Sequence, residues 1–266
     1  NSTTITQGNS LIWNNTDKIW EAGTPTTSIV NTTTVTNGGG WANLNATNTP
    51  AYDYFGDIVY DGNDSFYFVG GRENSSTTRN YVWKYTISTN AWSQVTTTGV
   101  TIHNVLEHGL VFYNNALYVF AGYVNGANVN TLYKLDLTQS TPTWSLVSTS
   151  GTTPSSRRDL SVTMYNSKLI VFAGYSNAPL NDLYEIDLAS GTPTWNQLHN
   201  GSGTAPSGRF GSMIEAYQDK IIIFSGGGAS DQELWEFNLT NNTWSQKTST
   251  GSIPLYRIWS QHTIVG

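Results

Sequence analysis

Cysteine is absent from this 266-residue chain, and charged residues make up only 11% of it. Without cysteine the chain has no disulfides and no thiolate metal sites. Its 12 Lys and Arg against 18 Asp and Glu leave a net charge of −6. With no basic stripe, nucleic acid is not an expected partner. No apolar run approaches the roughly 18 residues of a membrane helix, so no membrane span is predicted.

Histidine is also scarce, with four residues in the whole chain. No two of them have metal-ligand spacing such as H-x-x-x-H. The sequence therefore predicts no metal site and no cofactor, and no set of residues spells out a catalytic reaction. Amphipathic helices are missing as well, which leaves β-strands as the expected elements.

What the chain does contain is an internal repeat, best seen in residues 169–195. An apolar run, Leu169–Phe172, ends in a small pair, and an alternating strand, Leu183–Leu188, leads to a Trp. The small pairs of the five copies are Ala22-Gly23, Gly70-Gly71, Ala121-Gly122, Ala173-Gly174 and Gly226-Gly227. The tryptophans of the five copies are Trp41, Trp92, Trp144, Trp195 and Trp244. Two markers that share a period near fifty residues, with four short strands per period, predict a β-propeller.

Further motifs give the chain a resemblance to the kelch-repeat family. Beside the Gly pairs stands the run Asn181-Asp182-Leu183-Tyr184, followed by Asp187. A Pro-x-x-Arg motif precedes first strands at residues 154–157, 206–209 and 254–257. The resemblance implies a propeller of four-stranded blades. It implies no single activity, because kelch folds serve scaffolds, adhesins and a few enzymes.

We therefore predict one all-β domain over residues 1–266, a kelch-type propeller of about five four-stranded blades with one extra terminal strand. The predicted blades span residues 4–44, 52–95, 103–147, 157–198 and 209–247, and the extra strand spans 257–266. That strand either closes the ring in blade one, which leaves Asn1–Trp13 in excess, or is itself in excess. A third alternative is a natural chain that continues with more blades.

Glycosylation acceptor triplets, Asn-x-Ser/Thr, are numerous. They begin at Asn1, Asn14, Asn31, Asn45, Asn63, Asn74, Asn200, Asn238 and Asn241. A chain rich in Asn, Ser and Thr produces some of these by chance, but most fall in predicted turns. With the low charge, they favour a secreted, extracellular glycoprotein, and a start at Asn1 is what a removed signal peptide would leave. Blades three and four lack such triplets and form a bare arc.

Candidate binding residues lie at or just before the first strands, which line the channel of a propeller. They are Glu107, His108, Arg157, Arg158, Arg209, Arg257 and His262. The functional interpretation is a channel mouth that binds a ligand such as a carboxylated sugar. The structural alternative is that the Pro-x-x-Arg arginines tie adjacent blades together and that the histidines make hydrogen bonds beside the channel.

The tryptophans allow two interpretations too, as sugar-stacking platforms or as packing between blades. A position repeated in every copy favours packing. Tryptophans outside that register are better binding candidates where they are exposed, and these are Trp13, Trp20, Trp83, Trp235 and Trp259.

The leading functional hypothesis is an extracellular structural or adhesive module whose partners are copies of itself or extracellular glycoproteins. It would form filaments if Asn1–Trp13 or Arg257–Gly266 docked on the next subunit. The alternatives are a carbohydrate-binding protein and a sugar-modifying enzyme of the sialate-isomerase kind, both using the channel mouth. Exposed Trp and Tyr at the mouth favour binding, whereas clustered Arg, Glu and His favour the enzyme.

Overall fold

The computed structural model describes residues 10–14, 19–23, 43–50, 55–72, 77–228, 232–252, 254 and 257–259. The chain divides into two compact units, residues 1–43 and 44–266. Every regular element in the described residues is a β-strand, so the all-β prediction is confirmed. None of these residues forms a helix of the length and apolarity needed to cross a membrane.

The first unit contains an antiparallel hairpin, and the second is a β-propeller with four described blades. The hairpin consists of β1 (Ser10–Asn14) and β2 (Ile19–Gly23). Blade two consists of β3 (Asp57–Tyr60), β4 (Ser65–Val69), β5 (Val82–Thr86) and β6 (Ala91–Val95). After β7 (Thr98–Gly99), blade three consists of β8 (Gly109–Tyr113), β9 (Ala116–Val124), β10 (Ala127–Asp136) and β11 (Thr143–Leu146). After β12 (Ser150–Gly151), blade four consists of β13 (Ser161–Tyr165), β14 (Lys168–Tyr175), β15 (Pro179–Asp187) and β16 (Thr194–His199). Blade five consists of β17 (Met213–Tyr217), β18 (Lys220–Phe224), β19 (Leu234–Asn238) and β20 (Thr243–Lys247).

Within each blade, sequential strands pair antiparallel, and the first strand is innermost. The first strands contact each other from blade to blade, β3 with β8, β8 with β13 and β13 with β17. The second strands lie behind them and are the most apolar, since β9 and β14 are buried almost throughout. A strand covered on both faces reads as a continuous apolar run, which explains why these strands dominate the sequence pattern.

Trp41 lies outside the described residues, and the other four repeated tryptophans occupy equivalent sites in successive blades, as predicted. Each is the second residue of a fourth strand: Trp92 in β6, Trp144 in β11, Trp195 in β16 and Trp244 in β20. The last three are buried and the first is half-buried. The Trp195 ring lies 4.7 Å from that of Phe120 in blade three, and the Trp244 ring 5.4 Å from that of Phe172 in blade four. Blades four and five are thus each joined to the preceding blade by an aromatic contact of their tryptophan.

One of the small pairs was assigned wrongly from the sequence. In blade five the residues with left-handed backbone are Ser225 (φ 59°) and Gly226 (φ 112°), matching Ala173 (φ 54°) and Gly174 (φ 104°) in blade four. The pair is therefore Ser225-Gly226 and not Gly226-Gly227. Its second residue donates a backbone hydrogen bond to the next repeat, Gly174 N to Arg209 O at 3.0 Å and Gly226 N to Arg257 O at 3.1 Å. The structure describes blades two to five, and blade one as a complete blade and the extra strand stay a prediction.

Candidate functional site

Five residues spaced about fifty apart form a belt of backbone hydrogen bonds around the propeller axis. They are Phe55, Glu107, Asp159, Gly211 and Trp259. The first four each lie two residues before a first strand, and each later member donates its N–H to the carbonyl of the one before, at 2.8–2.9 Å. All five have a left-handed backbone, with φ between 52° and 65°. Such angles are uncommon outside glycine and often mark functional positions.

The Trp259 side chain lies across one mouth of the channel. It passes over Gly211, where an added Cβ would lie 2.8 Å from Trp259 Cδ1. Its Nε1 donates to Asp159 Oδ1 at 2.8 Å, and its ring meets the Phe55 ring edge-on at 5.9 Å. Despite these contacts Trp259 is 50% exposed. A tryptophan is therefore held in a fixed pose with a face open to solvent.

Beside Trp259 an arginine is held between two tyrosines and two carboxylates. The Arg158 guanidinium lies 4.8 Å from the Tyr123 ring centre and 5.2 Å from that of Tyr175. Its Nε is 3.2 Å from Glu107 Oε2 and 3.6 Å from Asp159 Oδ2. The Glu107 contact is close but misaligned, so neither Arg158 Nε nor Glu107 Oε2 makes a hydrogen bond within the described residues. The two side chains attract each other by their charges, while Arg158 Nε still has a hydrogen to donate and Glu107 Oε2 can still accept one.

We call this group the mouth cluster. It consists of Phe55, Glu107, Tyr123, Arg158, Asp159, Tyr175, Phe210 and Trp259. Phe210 belongs to it because its ring packs edge-on against Tyr175, at 5.9 Å, and lies 6.5 Å from the Trp259 ring. An aromatic floor with a stacked cation and two carboxylates offers both apolar area and fixed hydrogen-bonding groups.

Both carboxylates of the mouth cluster are harder to ionise than usual. Burial raises the pKa of Glu107, the negative charge of Asp159 raises it further, and Arg158 and Arg72 oppose the rise. Burial also raises the pKa of Asp159, against the Trp259 hydrogen bond and the Arg158 charge. Paired, partly desolvated carboxylates with shifted pKa values are typical of functional sites.

A polar groove adjoins the mouth cluster at Tyr123, between blades two and three. It has a volume of ≈ 430 Å³, and its lining includes Arg72, Arg79, Asn104 and Asn125. The groove extends the polar surface outward from the channel mouth. A ligand resting on Trp259 and Arg158 therefore has hydrogen-bonding groups within reach on one side.

The predicted mouth residues separate into two groups. Glu107 and Arg158 lie in the mouth cluster. Arg157 and Arg209 are fully buried, where Arg157 binds both carboxylate oxygens of Asp182 (2.6 and 2.9 Å) and Arg209 binds Glu233 at 2.8 Å. They have no exposed surface to offer a ligand.

The remaining three predicted residues lie apart from the mouth cluster or outside the described residues. His108 is buried. Arg257 is exposed, and its backbone bonds to blade five, with its carbonyl accepting from Gly226 N and from Ser225 Oγ. His262 lies outside the described residues. Within the described ranges, no three His, Cys, Asp or Glu side chains group in a way that could hold a metal ion.

Sequence reasoning missed Asp159 and the aromatic residues around it, apart from naming Trp259 as one of the tryptophans outside the repeat register. The signal that would have found them is the spacing of the belt. Phe55, Glu107, Asp159 and Gly211 follow one another at 52-residue steps, and Trp259 follows 48 residues later. These residues occupy the same position in successive repeats but differ in residue type. Variation of residue type at one place on a fold is typical of a binding surface.

Comparisons with known proteins agree with the repeat analysis. A model of the KLHDC2/KLHL20/DRC7 Kelch-repeats domain matches residues 56–266. The chain is 26% identical over 242 residues to the leucine-zipper-like transcriptional regulator 1 homolog of Drosophila melanogaster, covering 85% of this chain and 24% of that protein. It is 26% identical over 239 residues to Kelch domain-containing protein 2 of Bos taurus, covering 78% of this chain and 59% of the relative.

The human relative, leucine-zipper-like transcriptional regulator 1, is 30% identical over 177 residues, which cover 62% of this chain and 21% of that protein. The chain thus spans at most 59% of the length of these three relatives. The family match extends from the start of blade two to the end of the chain and coincides with the propeller unit. The chain belongs to the kelch-repeat family.

Proposed function

We propose that this kelch propeller works by binding, and that its ligand is a carbohydrate held at the mouth cluster. The observation that carries the proposal is Trp259, which is half exposed and fixed by Asp159 beside the stacked Arg158. The C–H face of a sugar ring packs well on an indole, because the C–H face is weakly apolar and the indole is broad and rigid. Carboxylates and a guanidinium at the edge of that ring then pair with its hydroxyl groups.

Binding is a better proposal than sugar modification because of where the histidine lies. The enzymatic alternative combines Arg, Glu and His at the mouth. Glu107 and Arg158 meet there, but His108 is enclosed between blades and is only 5% exposed. The aromatic floor and the paired charges therefore favour recognition of a sugar over conversion of one.

The proposal predicts that Trp259→Ala weakens binding by at least about tenfold, since losing an aromatic anchor that the ligand covers costs about 2 kcal/mol or more, and tenfold corresponds to about 1.4 kcal/mol. The measurement is binding of the chain to an array of neutral and acidic oligosaccharides, followed by titration of the best-bound one. Trp83→Ala is the control, because Trp83 is a half-buried tryptophan on β5, away from the mouth cluster. Equal loss in both variants, or no binding to any oligosaccharide, would contradict the proposal.

We also propose that the chain is secreted and N-glycosylated. Of the acceptor residues, Asn45, Asn63, Asn200 and Asn241 are exposed and Asn238 is half-buried. Side chains of Asn1, Asn14, Asn31 and Asn74 lie outside the described residues. Exposure supports the proposal, since an acceptor must reach the transferring enzyme.

Glycans are expected in blades one, two and five and at Asn200, which directly follows the last strand of blade four, so that the bare arc runs from blade three to that strand. The reason is that no acceptor triplet occurs between Asn74 and Asn200. Mass spectrometry of protein from a eukaryotic secretory host checks this. Sugar on the bare arc, or on no Asn at all, would refute it.

We also propose that the propeller has five blades, with residues 4–44 as blade one and residues 257–266 as an extra first strand. The hairpin of the first unit supports blade one. The bonds from Gly226 N to Arg257 O and from Trp259 N to Gly211 O support the extra strand, because they repeat the bonds at every blade junction.

An adhesive or structural role remains the second candidate, with copies of the chain or extracellular glycoproteins as partners. A carbohydrate site at the mouth suits adhesion to glycoproteins directly. In filament formation by terminal strand exchange, Asn1–Trp13 or Arg257–Gly266 would dock on the next subunit, and residues 1–9 and 260–266 lie outside the described part of the chain.

A further inference from the structure

The outer edges of blades two, three and four are each covered by a short segment arriving from the preceding repeat. Thr47 covers β6, with Thr47 N donating to Asn90 O at 3.2 Å and Trp92 N donating to Thr47 O at 2.9 Å. β7 runs parallel to β11, and β12 runs parallel to β16. We call these three segments caps. They occupy backbone groups that an edge strand would otherwise expose.

The two longer caps share one chemistry, a hydroxyl residue followed by glycine. Thr98 Oγ1 lies 3.0 Å from Thr143 Oγ1, and Ser150 Oγ lies 2.9 Å from Thr194 Oγ1. The following glycines have φ of 87° and 79°. An added Cβ on Gly99 would lie 2.2 Å from a backbone oxygen of the capped strand, so glycine is required by close approach.

Blade five has the same capped position without a cap. In β20, Thr243-Trp244 corresponds to Thr143-Trp144 of β11, the pair on which the cap of blade three lies. β20 is nevertheless the edge of a four-stranded sheet. Among the described residues, no segment pairs with its outer side.

The cause is one inserted residue. The caps begin six residues after Trp92 and six after Trp144, whereas the equivalent Ser202 follows Trp195 by seven. The longer segment turns back on its own blade, where Asn181 Nδ2 donates to Gly201 O at 2.9 Å. Ser202-Gly203 therefore does not lie along β20.

The chain also carries a segment with all the features of a cap. Thr250-Gly251 follows Trp244 by six residues, and Gly251 has φ of 86°, close to the values of Gly99 and Gly151. No strand within the described ranges pairs with it. Within the part of the chain that the structure describes, there is thus both a cap without its strand and a strand without its cap.

We propose that Thr250-Gly251 of one copy caps β20 of a second copy. In that contact Thr250 N would donate to Asn242 O and Ser252 N to Trp244 O, as Ser150 N donates to Pro193 O and Thr152 N to Trp195 O inside the chain. The Thr243 hydroxyl, which now bonds to Asn241 Oδ1 at 2.7 Å, would turn to the Thr250 hydroxyl. Donor and acceptor are different surfaces, so the association is head to tail and adds further copies.

Sedimentation of the full chain over a range of concentrations, with hydrogen exchange of the Trp244 amide, tests this proposal. We expect the chain to associate more as its concentration rises. At high concentration the Trp244 amide should exchange at least about tenfold more slowly, because its strand gains a partner. Thr250→Pro removes the donating N–H and should abolish both effects. Ser249→Pro is the control, because the equivalent Thr97 and Thr149 amides donate no hydrogen bond to the capped strands.

A second variant keeps the test informative if proline disturbs the segment. Deleting Gly201 restores the six-residue spacing, so Ser202-Gly203 should cap β20 within its own chain. That variant should be monomeric with a slowly exchanging Trp244 amide. The proposal is overturned if the full chain is monomeric at every concentration. Fast exchange of the Trp244 amide in that monomer would mean that the edge of β20 is open, and slow exchange would mean that a segment of the same chain covers it.

Discussion

Replacing Arg157 with methionine should lower the free energy of unfolding by about 3–5 kcal/mol, the cost of leaving a buried carboxylate without its partner. The Arg157 side chain is fully buried. It donates to both oxygens of Asp182, to the Ala173 carbonyl at 2.9 Å and to Ser155. Methionine fills much of the volume but supplies no donor, and Asp182, only 15% exposed, keeps its charge. Urea denaturation of both proteins measures the loss.

The matched control is Lys168→Met in the same blade. Lys168 Nζ lies 3.0 Å from Glu185 Oε1, but the lysine side chain is 39% exposed. Water screens that pair, so its loss should cost about 0–1 kcal/mol. If Arg157→Met costs no more than Lys168→Met, the Pro-x-x-Arg arginine does not stabilise its blade in the way its contacts indicate.

Acidification from about pH 7 to pH 4 should destabilise the propeller through His108, by about 3 kcal/mol. Burial lowers the pKa of His108 from 6.5 to about 4. Its ring lies near Gly70 of blade two and its Cβ near Gly122 of blade three, and neither ring nitrogen has a hydrogen-bond partner among the described residues. The unfolded chain therefore takes up the proton first. Stability is complete above pH 6.5 and is lost as the pH falls toward 4.

The carboxylates of Glu107 and Asp159 act in the opposite sense, because their raised pKa values make protonation easier in the folded state. The effect of His108 is isolated by comparing the wild type with His108→Leu, in which the decline should become smaller, while the lowered pKa values of His199 and Glu233 still contribute to it. His103→Leu is the control, since His103 is exposed. Identical pH profiles for the wild type and His108→Leu would show that His108 is not the group responsible.

The repeat made most of the fold predictable from the sequence. A buried second strand such as β14 must be apolar throughout, and a tryptophan such as Trp195 must fill the same gap in every blade, so both leave marks at a fixed period. The one misplaced pair shows the limit of that reasoning. The first residue of the pair is Gly or Ala in the other described blades, whereas in blade five Ser225 adopts that left-handed angle. The three glycines that follow Ser225 hide which two residues form the pair.

The site was less predictable, because its members share a position on the fold and not a residue type. Arg157 and Arg158 are neighbours in sequence, yet one is enclosed by Asp182 and the other is stacked between tyrosines at the mouth. Only the direction of each side chain separates them. Trp259 likewise reaches Asp159, 100 residues away, because the intervening Gly211 leaves room above the backbone.

The measurement that tests the proposed carbohydrate site most directly is the NMR spectrum of the tryptophan indole N–H groups during titration with the best-bound oligosaccharide. The chain has 10 tryptophans, and the Trp259 indole N–H is bonded to Asp159 Oδ1 at 2.8 Å beside the exposed ring face. We expect the Trp259 signal to shift on titration while the signals of the buried Trp144 and Trp195 do not. Shifts confined to other tryptophans, with Trp259 unchanged at saturation, would contradict it.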